Sequence, residues 1–574
     1  MIRTKLRWVA CFLKAREICP RVKNNIVMIG VAMLPFSALA HDASSRDRAN
    51  IEVCESATYF GVGIVGSLSA PYNKIASLTA LLSSPLGKSV LKNLWVNHDR
   101  LHPCFAISNT PIWEPVVSRI PTDIVGIEVP NSLEHALIYV TGVPDYTIET
   151  PPFFTSFKPG NIYGVYKLAA EPKVDTRVVH EFASAGAIGL FVNGSSIFNY
   201  TDTFSYQNKG AWTYDANVAE ASIVNSDVAH ATPSNLPQFP KSRGIFHNHQ
   251  MSREVLKQLN DSFSRGAKEH SKVIGYAIDS YPIYGPLGYS SRDMSSGVKV
   301  LKSSYVKRDW IAIENGGSNH RSSLPGWVVR GWNNDNTGDT LLNLSQKPKI
   351  DMLFTDGKKD GPVHYTGNDE KLAKEIQFLT ETRGLVRDKE GYVYWESEIL
   401  MPNGVKTITR NYLLRSSDLW GADISQKILP VSYQVADQDK FLFSAITGTF
   451  AEDYEFVPGY GDLDFFNGIE SYVADRGQAI YHYVTPYSTD DVADKERLNK
   501  ASFPYFVGVQ FKGIVDTFNR ATQKETSKAQ YLTESRSLYK PVFDLGVVGK
   551  DANNEIQYAS VIDTWRKTLS GRSH

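Results

Sequence analysis

The chain has 574 residues, and its 42% hydrophobic, 11% aromatic and 21% charged content is that of a folded protein rather than a disordered or fibrous one. Formal charge is zero overall, but residues 1–40 hold seven of the 61 basic residues and one of the 61 acidic ones, leaving 54 against 60, a net of −6, on the remainder. A mildly acidic chain has no general attraction for nucleic acid or anionic membrane, so basic-patch functions and nucleic-acid partners are excluded.

Residues 1–40 read as an extended signal peptide. Arg21 and Lys23 precede an apolar run from Ile26 to Phe36, and Ala38-Leu39-Ala40 forms a small-residue cleavage site before His41. This predicts Sec-type export to the periplasm or beyond. No later apolar run reaches the roughly 18 residues a spanning helix needs, so no transmembrane segment is expected in the mature chain. Cys54 and Cys104 are then the only cysteines left. In an oxidising compartment they are expected to form one disulfide, worth about 4 kcal/mol in the chain-entropy model.

Residues 41–125 form a partly helical N-terminal region. Asn73 to Trp95 carries apolar residues at helical spacing, with Pro85-Leu86-Gly87 expected as a break between two helices. Residues 126–310 change to short β-branched and aromatic runs such as "ALIYVTGV", "AIGLFVNG" and "VIGYAIDSYPIYG", separated by turn residues. Residues 311–400 are rich in Asn, Gly, Lys and Asp and read as a loop-rich insertion; residues 401–513 form a second β-rich block, and 514–574 a C-terminal tail, helical in part. The expected fold class is mainly β, antiparallel and sandwich- or barrel-like, with a partly helical N-terminal region, α+β overall.

Chemistry concentrates first in "GIFHNHQM", residues 244–251. On a strand, residues i and i+2 share a face, so His247 and His249 stand side by side, with Phe246 and Asn248 opposite. Neutral imidazoles suit zinc, copper, nickel or iron, but two ligands do not complete a site. The plainer alternative is a pair of hydrogen-bonded core histidines. His230 lies shortly upstream. Asp279, in an apolar run, needs either a partner, as a turn-capping aspartate has, or a metal. Further along, Asp462 and Asp464 are again i and i+2, and His482 lies between two tyrosines. The run D-x-D-x-x-N-G has the flavour of a calcium loop, but Val473 stands where an EF-hand needs Glu, so turn chemistry competes. "HEFAS" has Ser184 where a metalloprotease helix needs its second His. No G-x-S-x-G elbow or phosphate loop exists.

The blocks "VTGVPDY", "IGLFVNGSSIFN", "WTYDA", "FHNH", "SKVIGYAIDSYPIYGPLGY", "GTFAEDYEFVPGYGDLDFFNG" and "YHYVT", in that order from Val140 onward, resemble the YHYH-domain proteins. These are exported, β-rich proteins named for a Tyr-His-Tyr-His motif. The resemblance implies that His247 and His249 occupy the two histidine positions of that motif, with Phe246 and Asn248 in place of its tyrosines. It also implies that Tyr146 replaces a histidine usual in the family after "GIPD" or "GIPN".

The leading expectation is an exported protein with a His/Asp metal site. His247 and His249 come first, then Asp279 and His230, then Asp462, Asp464 and His482, which require the C-terminal block to fold back onto the first. The metal is a divalent ion, zinc or copper foremost and calcium as a further option, with no organic cofactor; partners are unknown. Such a site suits water activation, hence hydrolysis. The alternative is a non-catalytic carbohydrate- or protein-binding module with structural histidines, for which Trp212, Trp332 and Tyr284 are the stacking candidates.

Overall fold

The structure is a computed structural model, and it describes residues 83–95, parts of 123–174, most of 183–232, 244–310, 321–328, most of 361–388, 392–414, 420–429, 442–488, 500–520 and 539–541. The expected leader, the Cys54–Cys104 pair and Trp332 lie outside the described residues.

The protein is mainly β, built from several sheets, and among the described residues none of them closes into a barrel. The largest sheet has eight strands, in the order Gly468–Val473, Gln478–Val484, Pro282–Tyr284, Val273–Ala277, Ala187–Phe191, Ser196–Phe198, Phe246–Asn248 and Ala229–Ala231. Six of these strands come from residues 187–284 and two from residues 468–484. The two groups join through a parallel pairing, Ile283 opposite Tyr483. The C-terminal β block therefore does fold back onto the first. The strand Val273–Ala277 is buried at every residue, which explains why it reads as a continuous apolar run and not as an alternating one. It lies so close to Ala187–Phe191 that a Cβ on Gly275 would sit 2.5 Å from the Leu190 carbonyl oxygen.

A four-stranded sheet, ordered Tyr539–Pro541, Ile124–Pro130, His135–Val140 and Gly164–Ala169, and a five-stranded one built around the long hairpin Val393–Leu400/Lys406–Leu413 complete the main architecture. The region expected as a loop-rich insertion holds the helix Glu370–Arg383 as well as strands of this second sheet. Leu372, Ile376 and Leu379 recur at helical spacing there and are all buried, a pattern that the surrounding Lys, Glu and Asn content obscured.

Near the N-terminus the expected helix break is instead a helix start. Pro85 opens the helix Pro85–Ser89, and the Ser84 hydroxyl caps it by accepting from the Gly87 amide at 3.0 Å. Proline at the first helical position costs nothing, because its missing N–H would have had no helical partner. No helix among the described residues is long and apolar enough to cross a membrane.

Candidate metal centre

Three of the expected residues converge at the far edge of the large sheet. His230 and His247 are direct partners in the antiparallel pairing of Ala229–Ala231 with Phe246–Asn248, and their rings lie 4.5 Å apart. His249, two residues on, returns to the same face, with its Nε2 3.1 Å from Nε2 of His247. A fourth group closes the cluster. Glu220 Oε2 is 2.7 Å from His230 Nε2 and 3.1 Å from His249 Nε2. One ligand atom from each of the four lies within 4.8 Å of every other, and all four residues are buried.

Glu220 was not apparent from the sequence. It is the C-cap of the four-residue helix Ala216–Ala219, whose N-cap, Asp215, accepts from the Asn217 amide at 2.9 Å. Asn217 in turn donates its side-chain amide to the His249 carbonyl at 3.3 Å. The Tyr505 hydroxyl donates to the second oxygen of Asp215 at 2.7 Å. A helix this short has no periodicity to read, and nothing in the local pattern ties a carboxylate to a histidine ten residues downstream.

The two motif histidines are held in one tautomer by the backbone. His247 Nδ1 donates to the Ile245 carbonyl at 2.9 Å, and His249 Nδ1 donates to the Asn199 carbonyl. Phe198 stacks on the His247 ring at 3.8 Å between centroids. With both Nδ1–H groups so engaged, each Nε2 is the atom left to take a proton or a metal ion, and the two point into the same small space. Main-chain carbonyls on the outer nitrogen are the usual supports of metal-ligating imidazoles. Lone pairs at this separation demand a positive charge between them, either a proton or a metal ion.

Electrostatics bear this out. Burial, reinforced by His230 and His249, pushes His247 well below the ordinary histidine range, so it is neutral. At His249 burial acts in the same direction, but the Glu220 carboxylate and the Asn199 carbonyl outweigh it and raise the imidazole. Burial favours the neutral acid at Glu220, yet His249 and His230 hold it well below the usual carboxylate range. The donor set is therefore three imidazoles and one carboxylate, which matches the borderline divalent ions of the first transition row better than calcium. Four donors around zinc at about 2.0–2.1 Å would stand about 3.3 Å from one another; three of the pairs here lie at 2.7–3.1 Å, and all lie within 4.8 Å.

The other expected ligands are engaged elsewhere. Asp279 lies in the turn after Val273–Ala277, where it accepts from the Tyr483 hydroxyl at 2.6 Å and from the Gly513 and Tyr281 amides at 2.9 and 3.3 Å. Burial raises it to about 6. Asp462 accepts from Lys299 at 2.7 Å and the Lys302 amide at 3.0 Å. Asp464 accepts from the Tyr481 hydroxyl and the Phe466 and Gly468 amides, each within 3.1 Å. His482 is buried against Tyr284, donates Nδ1–H to the Ile480 carbonyl, and is pushed by burial down to about 4. The stacking candidates Trp212 and Tyr284 are core residues, each about 1% exposed.

Tyr146 sits on the opposite face of the motif strand from the histidines. Its ring is 6.5 Å from Phe246, and its hydroxyl donates to Asp227 at 2.9 Å. Asn248 donates to the Asp227 carbonyl on that same side. Tyr146, Phe246 and Asn248 thus share one packed cluster, apart from the three histidines.

A family model described as YHYH protein matches residues 165–341 and 392–495, and all four residues of the cluster fall within the first segment. No curated protein and no solved structure matches the chain.

Proposed function

The chain belongs to the YHYH protein family, and on that premise we propose that the histidines of its signature are ligands of one divalent transition metal, completed by His230 and Glu220. The observation that carries this reading is the orientation of the imidazoles. Main-chain carbonyls take both outer nitrogens, and the inner ones converge at 3.1 Å beside a buried carboxylate.

The reaction class that suits the site is hydrolysis, since a zinc ion bound by three imidazoles lowers the pKa of a bound water to about 7. Glu220 then has one of two roles. It either fills the fourth position or accepts a proton from the attacking water, and its single oxygen within reach of His230 and His249 fits both. The leader-like residues 1–40 support placing the protein outside the cytoplasm.

Elemental analysis of the untagged mature chain tests the proposal. About one zinc, copper or similar ion per chain is expected, lost in the His247→Ala/His249→Ala variant and kept in His482→Ala. Metal-free protein whose melting temperature does not respond to added metal would reject the centre, and full retention in the double variant would place the ion elsewhere.

A further inference from the structure

A cleft of about 660 Å³ lies near the other edge of the large sheet, several strands away from the histidine cluster. We propose that it binds a neutral oligosaccharide. The inference does not depend on the metal centre.

The cleft is preformed. One wall is the N-terminal helix Pro85–Ser89 and the turn after it, and the floor comes from Tyr276, Tyr281 and Tyr481. Arg476 clamps the wall by donating to the carbonyls of Lys88 and Ser89 at 2.6 and 2.5 Å. The Tyr276 hydroxyl donates to the Ser89 carbonyl at 2.7 Å, and Lys92 pairs with Asp475 at 3.1 Å. A site held this way needs little ordering when a ligand enters. Its volume is within the range of small-ligand sites, about 300–1,000 Å³. The floor belongs to the segments matched by the family model, whereas the wall at 85–92 lies outside them.

The lining selects the ligand class. Arg476, Lys92 and Asp475 are occupied with one another and with carbonyl groups. At the rim the exposed Lys88 and Glu171 have opposite signs; the lining holds three basic residues against two acidic ones, and the surplus cation, Arg476, is spent on the Lys88 and Ser89 carbonyls, which leaves little charge to attract an ion. The Tyr281 ring packs edge-on against Tyr481 at 5.0 Å, while its hydroxyl bonds no protein group among the described residues. Ser280, beside it, holds a left-handed backbone at φ 74°, a conformation unusual for serine. A sugar ring offers an apolar C–H face to an aromatic ring and hydroxyls that both donate and accept. Lys88 and Gln478 supply donors, Glu171 acceptors. An apolar ligand would instead leave those rim groups desolvated without partners.

Calorimetric titration of the full chain with hexasaccharides of cellulose, chitin, starch and xylan tests the proposal. At least one is expected to bind, with affinity falling about tenfold in Tyr281→Ala, the size of one lost aromatic contact. The same fall is expected in Glu171→Ala/Gln478→Ala, whose side chains are exposed and do not support the fold. Tyr281→Phe keeps the ring and should retain most of the affinity, and metal content should stay unchanged in all three. Failure of every hexasaccharide to bind would overturn the proposal, as would unchanged affinity in Tyr281→Ala and in Glu171→Ala/Gln478→Ala. A proline-rich peptide that occupies the cleft where no sugar does would overturn it as well.

Discussion

His247 and His249 each give their outer nitrogen to a main-chain carbonyl, so neither ring can turn without abandoning a buried hydrogen bond. A buried donor left without a partner costs about 1–3 kcal/mol, which is enough to fix the ring orientation before any metal arrives. Glu220 is the residue whose role the geometry leaves divided between ligand and base, and substitution separates the two. If it is a ligand, Glu220→Gln should weaken metal affinity by at least about 10–100-fold, the loss seen when even an outer supporting group is removed. If it is a base, the metal remains and hydrolytic turnover of an ester probe falls. Equilibrium dialysis against a competing chelator reads the first outcome and initial rates the second. The histidine pair was legible because strand alternation is a strict rule, and His230 because it lies close by in sequence. Glu220 was not, since its place depends on a one-turn helix that only tertiary packing defines.

The motif strand Phe246–Asn248 separates two environments. One face carries the imidazoles; the other packs Phe246 and Asn248 against Tyr146 and Asp227. Substitution of the tyrosine face therefore need not disturb the metal face. Tyr146→Phe is expected to cost about 1 kcal/mol in denaturant unfolding, one hydrogen bond's worth, while leaving metal content unchanged. A loss of metal in that variant would mean that the two faces are coupled. Three strands further into the sheet, Gly275→Ala should cost about 1–3 kcal/mol, because the new methyl group meets the Leu190 carbonyl oxygen at 2.5 Å and main chain yields poorly. Element boundaries were legible wherever alternation or apolar runs were strong, as at Val273–Ala277. Pro85 is the exception, because a breaker residue there occupies the first helical position, which tolerates it. Asp279 was recognised as needing partners, but hydroxyl and amide donors from Tyr483, Gly513 and Tyr281 meet that need without a metal.

Across the whole molecule, distant segments are tied by a buried ion pair. Arg321 donates to both oxygens of Asp453 at 2.6 and 2.9 Å and to the carbonyls of Ala422, Ala445 and Ile446, with both side chains fully buried. Breaking such a pair strands a charge, so Asp453→Asn should destabilise the fold by about 3–5 kcal/mol. The neighbouring Glu452 works the other way. Burial raises it to about 8 in spite of two bonds from Thr213. Because the folded state holds this proton more tightly than the unfolded one, its contribution is fully present below about pH 4.5 and is lost as pH rises through about 8. Glu452→Gln should flatten that decline in a series of unfolding curves, and an unchanged slope would contradict the assignment. None of this long-range pairing was readable from local pattern. The second β-rich block was expected to complete the fold, and to bring Asp462, Asp464 and His482 to the metal site; it does join the large sheet, yet the strand bearing His482 joins on the side away from the cluster.

X-ray absorption spectroscopy on the chain loaded with one equivalent of zinc reads the proposed coordination shell itself. An inner shell of three imidazole nitrogens and one oxygen at about 2.0–2.2 Å is expected. An oxygen-only shell, or an imidazole signal that persists in the His247→Ala/His249→Ala variant, would contradict it.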